Sequence, residues 1–344
     1  MSRVHRMTTA DNVKQELGGF LIRAGLAAHG EDSQWTPLTG GVSSDIWRVD
    51  LPGRSLCVKR ALSRLKVAAE WRAPVSRNIY EWRWLCFAHQ TSPESVPRPL
   101  AHDEEAGALA MEFLQPEANP VWKTQLMRGQ IELSVAQSVG RMLAHLHAAS
   151  AFEPVLMNRF DTSENFMALR IEPYLLSTAA HHPQVEKQLR QLAQRTIDAH
   201  IALVHGDVSP KNILVGQGGP VLLDAECAWF GDPAFDLAFC LNHLLLKCLV
   251  ITERRADYLN CYAGLVESYL AHVNWEPLPE IEGRTASLLP ALMLARVDGK
   301  SPVEYLNDER HKQLLREVST GFLLEPVSTL GQISERWNEA LVQA

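Results

Sequence analysis

The sequence predicts an α+β protein in two parts, a small sheet-rich N-terminal part and a larger, mostly helical C-terminal part. Three observations predict it. Short extended segments crowd the first third of the chain. After "QPEANP" the apolar positions change to helical spacing. One β-like island, residues 201–226, then interrupts the helical part and is dense in acids and amides. At 344 residues the chain suits two domains or one large one. The division falls into 1–113 and 114–344, with a connector near 113–120.

Taken in order, "WTPLTGGVSSDIWRVDL" places a glycine pair between two extended segments, and "SLCVKRAL" reads as a short strand carrying Lys59. In "SRNIYEWRWLCFAHQ", Ile79, Trp82 and Cys86 recur at helical spacing and predict a helix. "VPRPLAHDEEAGALAMEFLQP" predicts a hairpin that turns at "DEEAG". "IELSVAQSVGRMLAHLHAAS" has one apolar stripe of Val135, Val139, Met142, Leu143 and Leu146. Much of 185–202 and 255–344 follows the same pattern, and "FDLAFCLNHLLLKCLVIT" reads as a helix buried on all sides.

Composition narrows the function. The 46% hydrophobic content supports a real core, and the 21% charged content is ordinary for a globular protein. A net charge of -7 argues against a broad nucleic-acid surface, which needs a basic stripe. The N-terminus shows no apolar run of signal-peptide type, and no stretch reaches the roughly 18 uninterrupted apolar residues of a membrane helix. The six cysteines are scattered with no C-x-x-C pair, so reduced core thiols are expected. The expectation is a cytoplasmic protein with neither nucleic-acid nor membrane partners. Its oligomeric state is not encoded in any pattern here.

The chemistry concentrates in "LVHGDVSPKNILVGQGGPVLLDAECAWFGDPAFDLAF" (203–239). In "HGDVSPKN", Pro210 makes the segment a loop that can aim Asp207 and Asn212 into one space. Two short strands, "ILV" and "PVLL", joined by "GQGG", would bring Asn212 and Asp224 to the same end of a hairpin. The result is one carboxylate able to accept a proton, plus an amide oxygen and a second carboxylate. Few hard oxygen ligands suit Mg2+, which keeps waters and shares phosphate oxygens. Glu226, two residues past Asp224, would face the same side on a strand and could touch a second Mg2+ or a substrate. The plainer reading has Asp207 and Asn212 as turn caps. Further upstream, Lys59 could hold nucleotide phosphates or simply be exposed. Glu81 could pair with Lys59 or with Arg77 at helical spacing, and Glu70 is a rival partner for Lys59. Gly40, Gly41, Ser43 and Ser44 in "LTGGVSSDIWRV" could present N–H groups and hydroxyls to phosphates.

Glycine loop, lysine, helix glutamate, H-x-D-x-x-x-x-N and D-x-E follow one another in the order used for phosphoryl transfer in kinase folds. With "HGDVSPKN", "DAE" and "GDPAFDLA" in place, the chain resembles the aminoglycoside phosphotransferase and choline kinase-like small-molecule kinases, from about Leu38 to Leu246. The resemblance implies a bilobal protein-kinase-like fold with ATP and Mg2+ as cofactors and a small-molecule hydroxyl compound as acceptor. It implies Asp207 as catalytic base, Asn212 and Asp224 as metal ligands, and Lys59 with Glu81 at the α/β-phosphates. The "MEFL" piece would be the hinge, with the backbone of Glu112 and Leu114 receiving adenine. His205 would be scaffold, and Asp236 would pin the catalytic loop. Ser209 stands where a protein kinase carries lysine, with Lys211 two residues on, and neither D-F-G nor A-P-E is present. These departures favour a small acceptor over a protein. Candidate acceptor segments are "FDTSENFMALRIEPYLL" (160–176), "LNHLLLK" (241–247) and "LARVDGKSPVEYL" (294–306). In the last, Arg296 or Lys300 could meet an anionic group of the substrate or be solvated charges at a helix-ending turn, and Trp122 could line the pocket or pack in the core. The alternative from a different class is a nucleotide-binding regulatory module without catalysis.

Overall fold

The structure, a computed structural model, describes residues 9–38, 44–62 and 76–343, with side chains from residue 12 onward. The chain forms two compact units, Met1–Gln115 and Pro116–Ala344.

In the first unit, five antiparallel strands stand in the order β1-β2-β3-β5-β4. They are β1 (Gln34–Pro37), β2 (Ser44–Leu51), β3 (Arg54–Ala61), β4 (Pro99–Asp103) and β5 (Ala108–Glu112). Alternation along each strand decides what the two faces carry. Trp47, Val49, Leu51, Leu56, Val58, Ala108 and Ala110 share one face and bury Leu17, Phe20 and Leu21 of helix α1 (Thr9–Arg23). Lys59, displaced by one residue from Val58, is turned to the opposite face. There it meets α2 (Arg77–Thr91). The α2 helix forms where expected, but on a different face. Its buried positions are Arg77, Asn78, Glu81, Trp84, Leu85 and Ala88, whereas Ile79, Trp82 and Cys86 are only half buried. The polar residues of that face have partners, which periodicity of apolar residues cannot register.

The second unit opens with α3 (Trp122–Met127) and α4 (Leu133–Ser150). Trp122 is buried in the core at 1% exposure, so it is a packing residue. On α4, Val139, Met142, Leu143 and Leu146 are buried as the stripe predicts, while Val135 is half buried. The short helices α5 (Pro154–Arg159), α6 (Ser163–Phe166) and α7 (Ser177–His181) follow, with a π-helical stretch, Met167–Leu176, before α7. Then come α8 (Glu186–Asp198) and the strands β6 (Ala202–Val204), β7 (Ile213–Gly216), β8 (Gly219–Leu222) and β9 (Trp229–Gly231). The β7–β8 pair is the hairpin expected from "ILV" and "PVLL". The β9 strand lies beyond the predicted island and pairs with β6. Three residues are too few for a period to show.

Helix α9 (Ala234–Val250) is buried along almost its whole length, as an all-round apolar helix must be. It packs against α4, α10 (Arg255–Leu270), α11 (Leu278–Asp298) and α13 (Leu330–Gln343), and α12 (Glu309–Leu324) packs in turn on α11. All six cysteines are free, and Cys57, Cys227, Cys240, Cys248 and Cys261 are buried. Among the described residues no helix is long and apolar enough to cross a membrane.

Candidate active site

The centre of the site is the loop between β6 and β7. Its backbone is held from below by Asp236 in the first turn of α9. The Asp236 carboxylate accepts the N–H of His205 at 2.7 Å and the N–H of Gly206 at 2.8 Å. His147 of α4 lies against the same carboxylate at 3.3 Å. Gly206 has φ +78, and a Cβ there would sit 2.6 Å from the Cys227 carbonyl oxygen. Only glycine satisfies both conditions.

His205 is a scaffold residue by its hydrogen bonds. Its Nδ1 accepts the Asp207 N–H at 3.1 Å, so Nε2 carries the proton and donates to the Leu223 carbonyl at 3.1 Å. Burial pushes this imidazole below its ordinary value, in keeping with the neutral tautomer. The ring thereby ties the loop to the residue before Asp224. The Leu223 N–H also donates to the Asn212 carbonyl at 2.9 Å.

Asp207 is buried at 4% exposure. Burial alone would raise its carboxyl, but two cations outweigh it and hold the group below the usual carboxylate range. Arg170 Nη2 lies 3.1 Å and Lys211 Nζ 3.3 Å from Asp207 Oδ2. Asn212 Nδ2 donates to the same oxygen at 2.8 Å and to the Asp207 carbonyl at 3.1 Å. Asp207 is thus an ionised, oriented acceptor.

Arg170 was not singled out by sequence reasoning. Its signal is a lone cation in the apolar run "FMALRIEPYLL", where only a buried partner makes the charge tolerable. It comes from the π-helical stretch, a geometry that recurs at functional sites, and its Nε also donates to the Gly206 carbonyl. Lys211, at the position two beyond the usual lysine, reaches Asp207 because the turn Pro210–Asn212 brings it back.

The two expected metal ligands flank this acceptor. Asn212 turns its nitrogen to Asp207, which leaves its carbonyl oxygen on the other side of the amide. Asp224 adopts φ +69, a left-handed conformation rare for a residue with a Cβ and concentrated at functional sites. An amide oxygen and a carboxylate are a donor set that fits Mg2+. Among the described residues no group of three or more His, Cys, Asp or Glu side chains forms a metal cage. The expectation that Asp224 and Glu226 share one side of a strand is corrected: β8 ends at Leu222, and the left-handed turn at Asp224 breaks the alternation. Glu226 is buried, and its main-chain carbonyl accepts from Asn165 at 3.3 Å.

In the first unit, Lys59 Nζ and Glu81 Oε1 form a buried ion pair at 2.8 Å, with side-chain exposures of 3% and 6%. Ser44 begins β2 and is buried. Gly40, Gly41, Ser43 and Glu70 lie outside the described residues. Glu112 closes β5 with its side chain exposed, its N–H donating to the Arg98 carbonyl at 2.9 Å, and Leu114 follows the strand end. Of the candidate acceptor contacts, Lys300 is a surface partner of Glu172 at 2.6 Å, whereas Arg296 is buried.

The family model for the phosphotransferase enzyme family matches residues 34–266. A methylthioribose kinase of Escherichia coli is 25% identical over 240 residues, which span 60% of this chain and 57% of that relative. A methylthioribose kinase of Bacillus cereus is 24% identical over 287 residues, 76% of this chain and 71% of the relative. The chain therefore spans little more than half the length of the first of these relatives. Among solved structures, a choline/ethanolamine kinase family protein from Mesorhizobium loti superposes with a TM-score of 0.51 at 16% identity, covering 96% of this chain and 100% of that one. An amicoumacin kinase in complex with AMP-PNP, Ca2+ and Ami gives 0.55 at 15% identity, covering 94% and 98%. These two likenesses establish a kinase-like fold.

Proposed function

Because this chain belongs to the phosphotransferase enzyme family, we propose that it is an ATP-dependent kinase that phosphorylates a hydroxyl group of a small metabolite. The observation that carries the reading is Asp207: a carboxylate kept ionised in a buried loop by Arg170 and Lys211 and oriented by Asn212. Such a group can accept the hydrogen bond of an incoming alcohol and align its oxygen for in-line attack on the γ-phosphorus. As the new O–P bond forms and the bond to ADP breaks, the alcohol's proton passes to Asp207. Lys59, kept in place by Glu81, is assigned to the α/β-phosphates, and the backbone at Glu112 and Leu114 to the adenine. Asn212 and Asp224 are assigned to Mg2+, which when bound supplies charge neutralisation on the phosphates. A metabolite kinase of this kind works where ATP is plentiful, in keeping with a cytoplasmic setting.

The test is ADP release from Mg-ATP across a panel of hydroxyl compounds that includes methylthioribose, choline and aminoglycosides. Asp207→Asn is expected to lower turnover by at least about 10^2 to 10^4-fold while nucleotide binding persists; near-native turnover would remove Asp207 from its role. Asp224→Ala is expected to weaken the magnesium-dependent thermal stabilisation by ATP. An unchanged magnesium dependence would remove Asp224 from the ligand set.

A further inference from the structure

The chemistry above leaves a group of cations unused, and these lie one aromatic layer from Asp207. Arg170, which holds Asp207, sits over the rings of Tyr174 and Phe239 at 5.7 Å from each. Arg296 meets the same Tyr174, 5.6 Å from its ring and donating to its hydroxyl at 3.0 Å. His243 meets the same Phe239 with ring centroids 5.7 Å apart, and its Nδ1 lies 3.3 Å from the Tyr305 hydroxyl. The ammonium groups of Lys247 and Lys123 lie 4.9 and 5.9 Å from the Tyr305 ring centre.

This positive charge is poorly answered within the chain. Lys247 is fully buried and donates to the main-chain carbonyl of His243 at 3.3 Å. Among the described residues no carboxylate pairs with Lys247 or with Arg296, whose Nη1 donates, besides the Tyr174 hydroxyl, to the Ser301 carbonyl at 2.5 Å and the Ser301 hydroxyl at 3.1 Å. Glu304 forms its ion pair with Lys123, from a side chain that is 67% exposed, and reaches Lys247 and Arg296 only through its field. His243 Nε2 and Arg296 Nε are buried and have no hydrogen-bond partner, although both residues are more than nine-tenths buried. Arg296, Lys247, Lys211 and Lys123 all place positive potential on His243. Buried cations and donors without counter-charge are strongly disfavoured unless something pairs with them. The same set would be satisfied by an anion with several acceptor oxygens, for which a guanidinium is well shaped. Lys211 and Lys123, with side chains 51% and 32% exposed, set the outer edge of this field.

We propose that the acceptor carries an acid group, a carboxylate or a phosphate, seated on Arg296, His243 and Lys247 while its hydroxyl is presented to Asp207. The inference rests on the kinase reading of the Asp207 loop and narrows its substrate to anionic hydroxy compounds. It runs against the net charge of -7, which considered alone suits a cationic substrate; the local field has the opposite sign.

The experiment compares matched pairs: glycerate and glycerol 3-phosphate against glycerol, gluconate against glucose, and choline as the cationic member. Binding is measured by calorimetry with the nucleotide site filled by Mg-ADP, and turnover by ADP release from Mg-ATP. At least one acid member is expected to bind ten-fold or more tightly than its neutral partner. That preference should fall ten-fold or more in Arg296→Met and in Lys247→Met, and less in the exposed Lys123→Gln. Lys300→Gln, a surface control, should leave it intact. Circular dichroism and melting of each variant separate a lost site from a lost fold, and Arg296→Lys should retain part of the preference. Glycerate and glycerol 3-phosphate distinguish a carboxylate from a phosphate. Equal or tighter binding of neutral or cationic members, no acid preference at all, or a preference that survives both Met variants overturns the proposal. Turnover of a neutral or cationic acceptor, unaffected by those variants, would do so while leaving the kinase reading standing. Acid-preferring binding without ADP release from any member supports the anion seat and counts against the kinase reading.

Discussion

Asp207 and Arg170 show how one ion pair can set a reactive group and still be half invisible in the sequence. The acid is legible because "HGDVSPKN" has recognisable spacing. Its guanidinium partner, thirty-seven residues upstream by numbering, has no spacing rule and is found only through contact. Arg170 depresses the Asp207 carboxyl against the effect of burial, so the base stays ionised well into acid. The sign follows directly. The contribution of this pair to stability is complete above the ordinary carboxylate value of about 4 and is lost as pH falls through the lower folded value. Arg170→Met removes the largest of the attractions that lower it. The acid limb of the kcat/KM profile should therefore move upward in pH, with activity at neutral pH also reduced. A profile that keeps its acid limb in place would show that another group controls ionisation. At this scale the roles of Lys59 and Glu81 in "SLCVKRAL" and "SRNIYEWRWL" were open between pairing and exposure, and burial at 2.8 Å separation decides the pairing.

At the level of elements, the site depends on a loop whose backbone is held by a helix. Asp236 takes two consecutive N–H groups of the loop, and the loop can lie against the Cys227 main chain only because Gly206 has no Cβ. Gly206→Ala brings a methyl to 2.6 Å from the Cys227 carbonyl oxygen in a left-handed backbone conformation. A loss of about 1–3 kcal/mol is expected, read as a lower denaturant midpoint, together with loss of turnover. A variant of wild-type stability would mean that the loop can relax away from Cys227 without penalty. The neighbouring Asp232 helps fix α9 as well, accepting the Ala234 N–H at 3.0 Å and pairing with Arg284 at 3.1 Å. The helix starts one residue later than an Asp232 N-cap with Pro233 as its first residue would place it, because Pro233 itself takes the N-cap position. The α2 face was not legible, since its buried positions include Arg77, Asn78 and Glu81, whose burial depends on partners far away in sequence.

For the molecule as a whole, the most informative group for stability is Lys247, which burial pushes down to about 7, with Lys123 and Arg296 adding repulsion and Cys240 and Glu304 opposing it. Its folded value lies below the ordinary lysine value of about 10.4, so the unfolded chain binds more protons between the two. Over that interval this residue makes the fold more stable as pH rises. Lys247→Met should therefore melt higher than wild type near pH 7 and show a smaller gain between pH 7 and 9; an identical pH dependence in both would remove Lys247 as the cause. The two-part α+β organisation, the Asp207 hairpin constellation and the buried course of α9 are written in the chain order, because local period, turn residues and motif spacing all act over a few neighbouring residues. Folding settles the rest: which cation holds Asp207, which face α2 buries, how β9 finds β6, and that Arg296, Lys247 and Lys123 gather beside Tyr174 and Tyr305 in an acidic protein. Those are outcomes of contact between distant segments, where burial and the field of neighbouring groups set what each side chain can do.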